Sequence, residues 1–182
     1  MPPSVRVRVM DAATIDRALS RMAHEILEKN KTTEELRLVG IQTRGVPLAR
    51  RLAAKLFGIE GTAPPVGILD INLYRDDLST VGEKPVVSAT DIRFPVTGKD
   101  IVLTDDVLYT GRTIRAALDA LFDHGRPARV QLLALIDRGH RELPIEARYV
   151  GRMVQTSNKE IIEVKFREID QIEKVLLVEK MD

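Results

Sequence analysis

The stretch IVLTDDVLYTGRT, residues 101–113, decides the reading of this chain. It opens on a short continuous apolar run, Ile101 to Thr104, which reads as a buried strand. The loop Asp105 to Arg112 follows, then TIRAALDALFDHG with helical periodicity and Gly125 as its stop. A strand that delivers two carboxylates into a glycine-containing loop and a helix start creates two unlike surfaces within a few residues. Asp105 and Asp106 can accept hydrogen bonds from a vicinal diol such as a ribose 2′,3′ pair, and can hold a hydrated Mg²⁺. Gly111 permits a turn that a residue with a β-carbon adopts only at a cost. Backbone N–H groups, the Thr110 and Thr113 hydroxyls and the helix dipole can then converge on a phosphate. Diol on one side and phosphate on the other describe a ribose 5-phosphate. Acids that merely cap a helix beside an ordinary turn are the competing reading; strand context, glycine and two threonines together weigh against it. The Walker and G-x-G-x-x-G phosphate patterns are absent.

Outward from this motif, apolar strands alternate with helical segments. Val5 to Met10 is β-like, and DAATIDRALSRMAHEILEKN sets Ile15, Leu19, Met22, Ile26 and Leu27 on one stripe, with Asp11 as N-cap. Leu36 to Ile41 reads as a strand and Gln42 to Gly45 as a turn; Pro47 then opens a helix that Gly58 would stop. Residues 59–65 read as a linker and Gly67 to Tyr74 as a strand. The polar stretch RDDLSTVGEKP and a β-like VVSATDIRF come next. Beyond the central motif, Val130 to Ile136 is a strand that ends on DRGHRELP, and the tail adds β-like runs at Ile161 to Phe166 and Val175 to Val178. This alternation predicts an α/β fold, a parallel sheet flanked by helices, with ligands at the carboxyl ends of the strands.

Composition agrees with one domain over residues 1–182, since 44% hydrophobic and 30% charged side chains supply one sizeable core. The 28 basic and 27 acidic residues nearly cancel, so any nucleic-acid site must be a local patch. Zero cysteines exclude disulfides and thiolate metal sites, and three histidines make a multi-histidine zinc site unfavourable. No apolar run of spanning length is present, so no membrane partner and a cytoplasmic location are expected.

IVLTDDVLYTGRT resembles the phosphoribosyl pyrophosphate (PRPP) signature of the type I phosphoribosyltransferases. With VGIQTRGVPLARRLA, DINLYRDDLS, LIDRGHRELPI and YVG in this order, the chain resembles the bifunctional pyrimidine operon regulator/uracil phosphoribosyltransferase family, PyrR. The resemblance implies a small hood built by the terminal segments over the active site. It implies PRPP, uracil and UMP as ligands, Mg²⁺ as cofactor held indirectly through Asp105 and Asp106, and a homodimer or higher homo-oligomer. It places PRPP on Asp105, Asp106, Val107, Leu108, Tyr109, Thr110, Gly111, Arg112 and Thr113, with pyrophosphate on Thr43 and Arg44. Asp105, Asp106 and Arg44 would carry catalysis, and a flexible loop with Arg75, Asp76 and Asp77 would close over the site. Arg138 would lie near the ligand. Ile162 would lie on the base, with a strand-core position as the competing reading. Purine-salvage relatives commonly carry an acid at the Tyr109 position; a tyrosine there favours a pyrimidine.

The same resemblance implies binding of pyrimidine leader mRNA by Ser20, Arg21, His24 and Arg141. Arg17, Arg21 and His24 share a helix face opposite the apolar stripe, although Glu25 and Glu28 dilute its charge. The family often has a base at Glu146 and an acid near Arg148, so this chain exchanges those charges. Two other functions compete: a phosphoribosyltransferase for another base without RNA regulation, and a nucleotide-sensing regulator with vestigial catalysis. A DNA-binding regulator is disfavoured, because barely ten residues precede the first helix and leave no room for a winged-helix domain.

Overall fold

The computed structural model describes residues 5–30, 32–75 and 89–180. Five strands form a parallel sheet: β2 (Leu36–Ile41), β3 (Val66–Leu69), β4 (Asp100–Leu108), β5 (Arg129–Asp137) and β6 (Tyr149–Met153), in the order β3-β2-β4-β5-β6. The central strands are buried on both faces, which is why they read as unbroken apolar runs. Helices α1 (Ala12–Lys29), α2 (Gly45–Glu60) and α3 (Arg112–Phe122) cover the sheet. Asp11 caps α1 by accepting from the Thr14 N–H at 2.8 Å, and Ile15, Leu19, Met22 and Ile26 are fully buried, as the stripe predicts.

A second sheet, antiparallel and three-stranded, joins β1 (Val5–Asp11) to β7 (Glu160–Lys165) and β8 (Lys174–Glu179) in the order β1-β8-β7, with the short helix α4 (Arg167–Asp170) between β7 and β8. Its two edges come from the two ends of the chain, the segments that the family resemblance assigns to a hood.

Several boundaries differ from the sequence reading. Helix α2 passes Gly58 and ends at Glu60, because Gly61 takes the left-handed conformation (φ 79°) and its N–H bonds the Phe57 carbonyl at 2.8 Å. The strand expected over 67–74 stops at Leu69, and Asn72–Tyr74 is a 3-10 turn. Of the β-like run 86–94, residues 86–88 lie outside the described residues, and the remainder pairs only through the bridge Ile68↔Asp91. Strand β4 does not end at Thr104: pairing with β5 carries it through both aspartates to Leu108↔Asp137. Strand β6 and helix α4 had no sequence signal of their own.

Candidate active site

The strand order reverses at β2, whose successors β3 and β4 lie on its two sides. The crevice beyond the carboxyl ends of β2 and β4 is therefore the switch point where ligands of open α/β sheets bind. A cavity of about 370 Å³ occupies it, lined by Thr43 and Arg44 after β2, Asn72 and Arg75 after β3, and Asp105, Asp106 and Thr113 around β4. A second cavity of about 340 Å³ adjoins it through Arg75, Val107 and Thr113, and is lined by Leu108, Tyr109, Thr110, Gly111 and Arg112.

Helix α2 is seated against β4 by atoms in close contact. The Thr104 hydroxyl donates to the Gly45 carbonyl at 2.7 Å, and a β-carbon on Gly45 would lie 2.2 Å from the Thr104 carbonyl oxygen. The residue at 45 must be glycine for the 42–45 turn to sit beside the acid pair. The Gln42–Thr43 peptide in this turn is cis. Gly111, the N-cap of α3, has φ 94°, the left-handed conformation that the motif was read to need.

Asp105 is buried and accepts the Asp106 N–H at 2.9 Å; Asp106 is half-buried and accepts the Val107 N–H at 2.9 Å. Burial first, and then the charge of Asp106, push the Asp105 pKa well above the usual carboxylate range, against a smaller opposing pull from Arg75. This donor set fits Mg²⁺: it offers hard carboxylate oxygens, too few to enclose an ion, in a cleft where phosphate oxygens and water would complete the shell. Among the described residues no group of three or more acidic or histidine side chains is placed to hold a metal ion.

The turn after β5 buttresses the glycine loop. Arg141 donates to the Tyr109 carbonyl (2.7 Å), the Ile145 carbonyl (2.7 Å) and both Asp137 carboxylate oxygens (3.0 and 2.8 Å). Glu142 and Leu143 N–H groups bond the Thr110 carbonyl, and Arg112 pairs with Glu142 at 2.8 Å. Arg141, expected on an RNA-binding surface, is thus turned inward, because the Asp137 carboxylate and two carbonyls satisfy its guanidinium.

Arg138 is also buried. It donates to the Thr156 hydroxyl and to the Ser157 and Glu160 carbonyls, and its guanidinium carbon stands 3.9 Å from the Tyr109 ring centre, while His140 meets the same ring edge-on. Burial lowers the Arg138 pKa. Neither Arg138 nor Ile162 lines either cavity. Ile162 is 7% exposed and packs in the core with Val164 and Phe166. Arg75 lines both cavities, whereas Asp76 and Asp77 lie outside the described residues.

Away from the crevice, Arg17, Arg21 and Arg152 line a shallow groove of about 280 Å³ between α1 and β6. Arg21 is half-exposed, and bonds Glu25 (2.8 Å) and the Gly151 carbonyl (2.6 Å). Exposed His24 donates from Nδ1 to the Ser20 carbonyl at 2.8 Å. Glu146 and Arg148 are both exposed. Arg152 carried no signal in the sequence, since only the β5–β6 pairing brings it to α1.

The chain matches the Phosphoribosyl transferase domain family over residues 9–168. It is 60% identical to the Bifunctional protein PyrR of Acetivibrio thermocellus over 167 residues, 92% of this chain and 91% of that one. The Bifunctional protein PyrR of Thermus aquaticus is 58% identical over 175 residues, 96% and 97% of the two chains. Among solved structures, a hypoxanthine phosphoribosyltransferase of Staphylococcus aureus superposes with TM-score 0.73 at 18% identity, covering 96% of this chain and 92% of that one. The hypoxanthine phosphoribosyltransferase of Trypanosoma cruzi gives 0.74 at 14%, covering 97% and 98%. The structural likeness carries the fold, and the sequence likeness, sustained over nearly the whole of both chains, carries the narrower kinship: this chain belongs to the phosphoribosyl transferase family and, within it, to the bifunctional PyrR proteins.

Proposed function

We propose that the protein transfers the phosphoribosyl group of PRPP to uracil, giving UMP and pyrophosphate, and binds pyrimidine leader mRNA when UMP is bound. The observation that carries the catalytic half is the meeting, at one switch-point crevice, of an acid pair, a glycine turn at a helix start and a second arginine-bearing turn. Asp105 and Asp106 accept the ribose diol, and the 110–113 turn with the start of α3 takes the 5-phosphate. Thr43 and Arg44 take the pyrophosphate. As the C1′ bond to pyrophosphate breaks and the base nitrogen bonds C1′ and gives up its proton to solvent, charge collects on the leaving group, and donors already aimed at it lower the barrier. Mg²⁺, bound with PRPP beside the acid pair, would neutralise part of that charge. Arg75, which lines both cavities, meets the bound ligand between them. Tyr109, held by the Arg138 stack, offers a purine ring no carboxylate, which favours a pyrimidine. One domain carries the whole reaction, with the terminal sheet as its hood.

Arg44→Ala should raise the KM for PRPP and weaken pyrophosphate inhibition roughly tenfold or more while moving UMP affinity little, because only PRPP and pyrophosphate present a β-phosphate. Steady-state kinetics with product inhibition check this, and equal weakening of all three ligands would remove Arg44 from the pyrophosphate site.

For the RNA half, the supporting observation is the arginine-lined groove of α1 and β6, which shares no lining residue with the PRPP crevice, with His24 exposed one turn beyond it. Arginines contact RNA phosphates, and an exposed imidazole can stack on or bond a loop base. Replacing Arg21 and His24 together by alanine should weaken leader RNA binding roughly tenfold or more and flatten its salt dependence by somewhat under one unit of slope for the lost arginine. Uracil turnover should stay near wild type. UMP should tighten RNA binding, and by linkage RNA should tighten UMP equally. Gel-shift titrations with and without UMP test both; unchanged RNA affinity in the double variant would leave a uracil phosphoribosyltransferase alone. From its PyrR kinship, the protein works in the cytoplasm as a homo-oligomer. Separately, no helix among the described residues is long and apolar enough to cross a membrane.

A further inference from the structure

The pyrophosphate turn is attached to the hood as well as to the sheet. Arg44 donates from Nε to the Val164 carbonyl at the end of β7 (2.9 Å) and from Nη2 to Asp170 Oδ1 (2.6 Å). The other oxygen of the same carboxylate accepts the Phe166 N–H at 2.9 Å and so closes the α4 turn, and Phe166 is fully buried. Asp170 therefore ties a rigid corner of the hood to one arginine of the crevice. Two helical turns further along α2, Arg51 pairs with Glu168 at 2.5 Å and with Glu173, and sits over the Phe166 ring. The helix that begins at the pyrophosphate turn thus carries an arginine at each end of an ionic seam with the hood, but only the first of them lines the cleft.

We propose that Asp170 is a positioning residue for PRPP: with the Val164 carbonyl it fixes the Arg44 guanidinium before ligand arrives, so that the remaining Nη1 donors face the pyrophosphate. This rests on the reading of Arg44 as a pyrophosphate ligand. A long side chain that is free in the empty site must be ordered on binding, at the expense of affinity; one already held by a charge-assisted bond and a carbonyl is not. The carboxylate is suited to the task. Burial alone would raise the Asp170 pKa, but the Phe166 N–H and Arg44 together hold it below the ordinary value, so it stays charged at neutral pH. The hood then contributes to substrate choice as well as to cover, through a contact that spans 126 positions of sequence.

The test compares Asp170→Ala, Asp170→Asn, Arg44→Ala, the Arg44→Ala/Asp170→Ala double variant and Arg51→Ala in the full chain. Asp170→Ala should raise the PRPP KM and the pyrophosphate inhibition constant roughly tenfold, with UMP affinity changed by less than about twofold. Asp170→Asn, which keeps an acceptor for Phe166 and so preserves α4, should fall between it and wild type; it carries the test if the alanine variant does not fold. On the Arg44→Ala background, loss of Asp170 should add nothing. Arg51→Ala should lower the melting temperature and leave the ratio of PRPP to UMP affinity at the wild-type value. The inference is overturned if the Asp170 variants weaken PRPP and UMP alike, if the asparagine variant matches wild type, or if Arg51→Ala shifts the ratio as Asp170→Ala does. Failure of Arg44→Ala itself to separate PRPP from UMP would instead overturn the pyrophosphate reading beneath it.

Discussion

Asp105→Asn is expected to lose about a hundredfold or more in kcat/KM for PRPP while making the empty protein more stable. The first effect follows from removing a diol acceptor, and the charge beside it, where transition-state charge is balanced; each factor of ten is ~1.4 kcal/mol. The second follows from burial. A carboxylate that is buried beside another acid, and pushed well above its ordinary pKa, costs stability whenever it is charged in the folded state. The sign is fixed by linkage: with the folded pKa raised, the favourable contribution is complete below the unfolded value and is lost as pH rises through the folded one. Asparagine keeps an acceptor for the Asp106 N–H and carries no charge, so the melting temperature at neutral pH should rise. Calorimetry with and without PRPP separates the two effects. Asp106→Asn should lose comparable activity without the same gain, since Asp106 is only half-buried.

Gly45→Ala should be among the most damaging single changes to the fold. The added β-carbon would stand 2.2 Å from the Thr104 carbonyl oxygen, a backbone atom of the central strand that no side-chain rotation can move. Helix α2 would have to lift from β4, breaking the 2.7 Å bond from the Thr104 hydroxyl and shifting Thr43 and Arg44 away from the acid pair. A loss of about 3 kcal/mol in urea unfolding is expected, with a rise in PRPP KM beyond that of Arg44→Ala. Thr104→Val, which removes the hydroxyl and keeps the volume, should cost only about 1 kcal/mol.

What was legible beforehand follows from where each signal resides. Helices α1 and α3 and strands β2 and β5 announced themselves because burial of one stripe or of both faces is written into consecutive residues. By sequence Asp105 and Asp106 start a loop, since carboxylates seldom continue a buried strand; pairing to Ala134 and onward along β5 keeps them in the sheet and accounts for the burial of Asp105. Strand β6 was missed because only Tyr149 of its five residues is buried and its hydrogen bonds come from β5. Arg141 illustrates a different limit. The family resemblance assigns it to a surface, and only the fold reveals Asp137 and the Tyr109 carbonyl beneath it. The tie between Arg44 and Asp170 could not be read at all, because a hood assembled from both ends of the chain brings together residues with no periodic relation.

The structural neighbours named above act on hypoxanthine, whereas the close sequence relatives are PyrR proteins. The uracil activity is tested most directly by incubating the purified protein with PRPP and Mg²⁺ and, in parallel, uracil, hypoxanthine, guanine or adenine, and measuring nucleotide and pyrophosphate. UMP and pyrophosphate are expected in equal amounts from uracil, with no nucleotide from the purines. Turnover of a purine in place of uracil, or no turnover of any base by a protein that still binds PRPP, would contradict it.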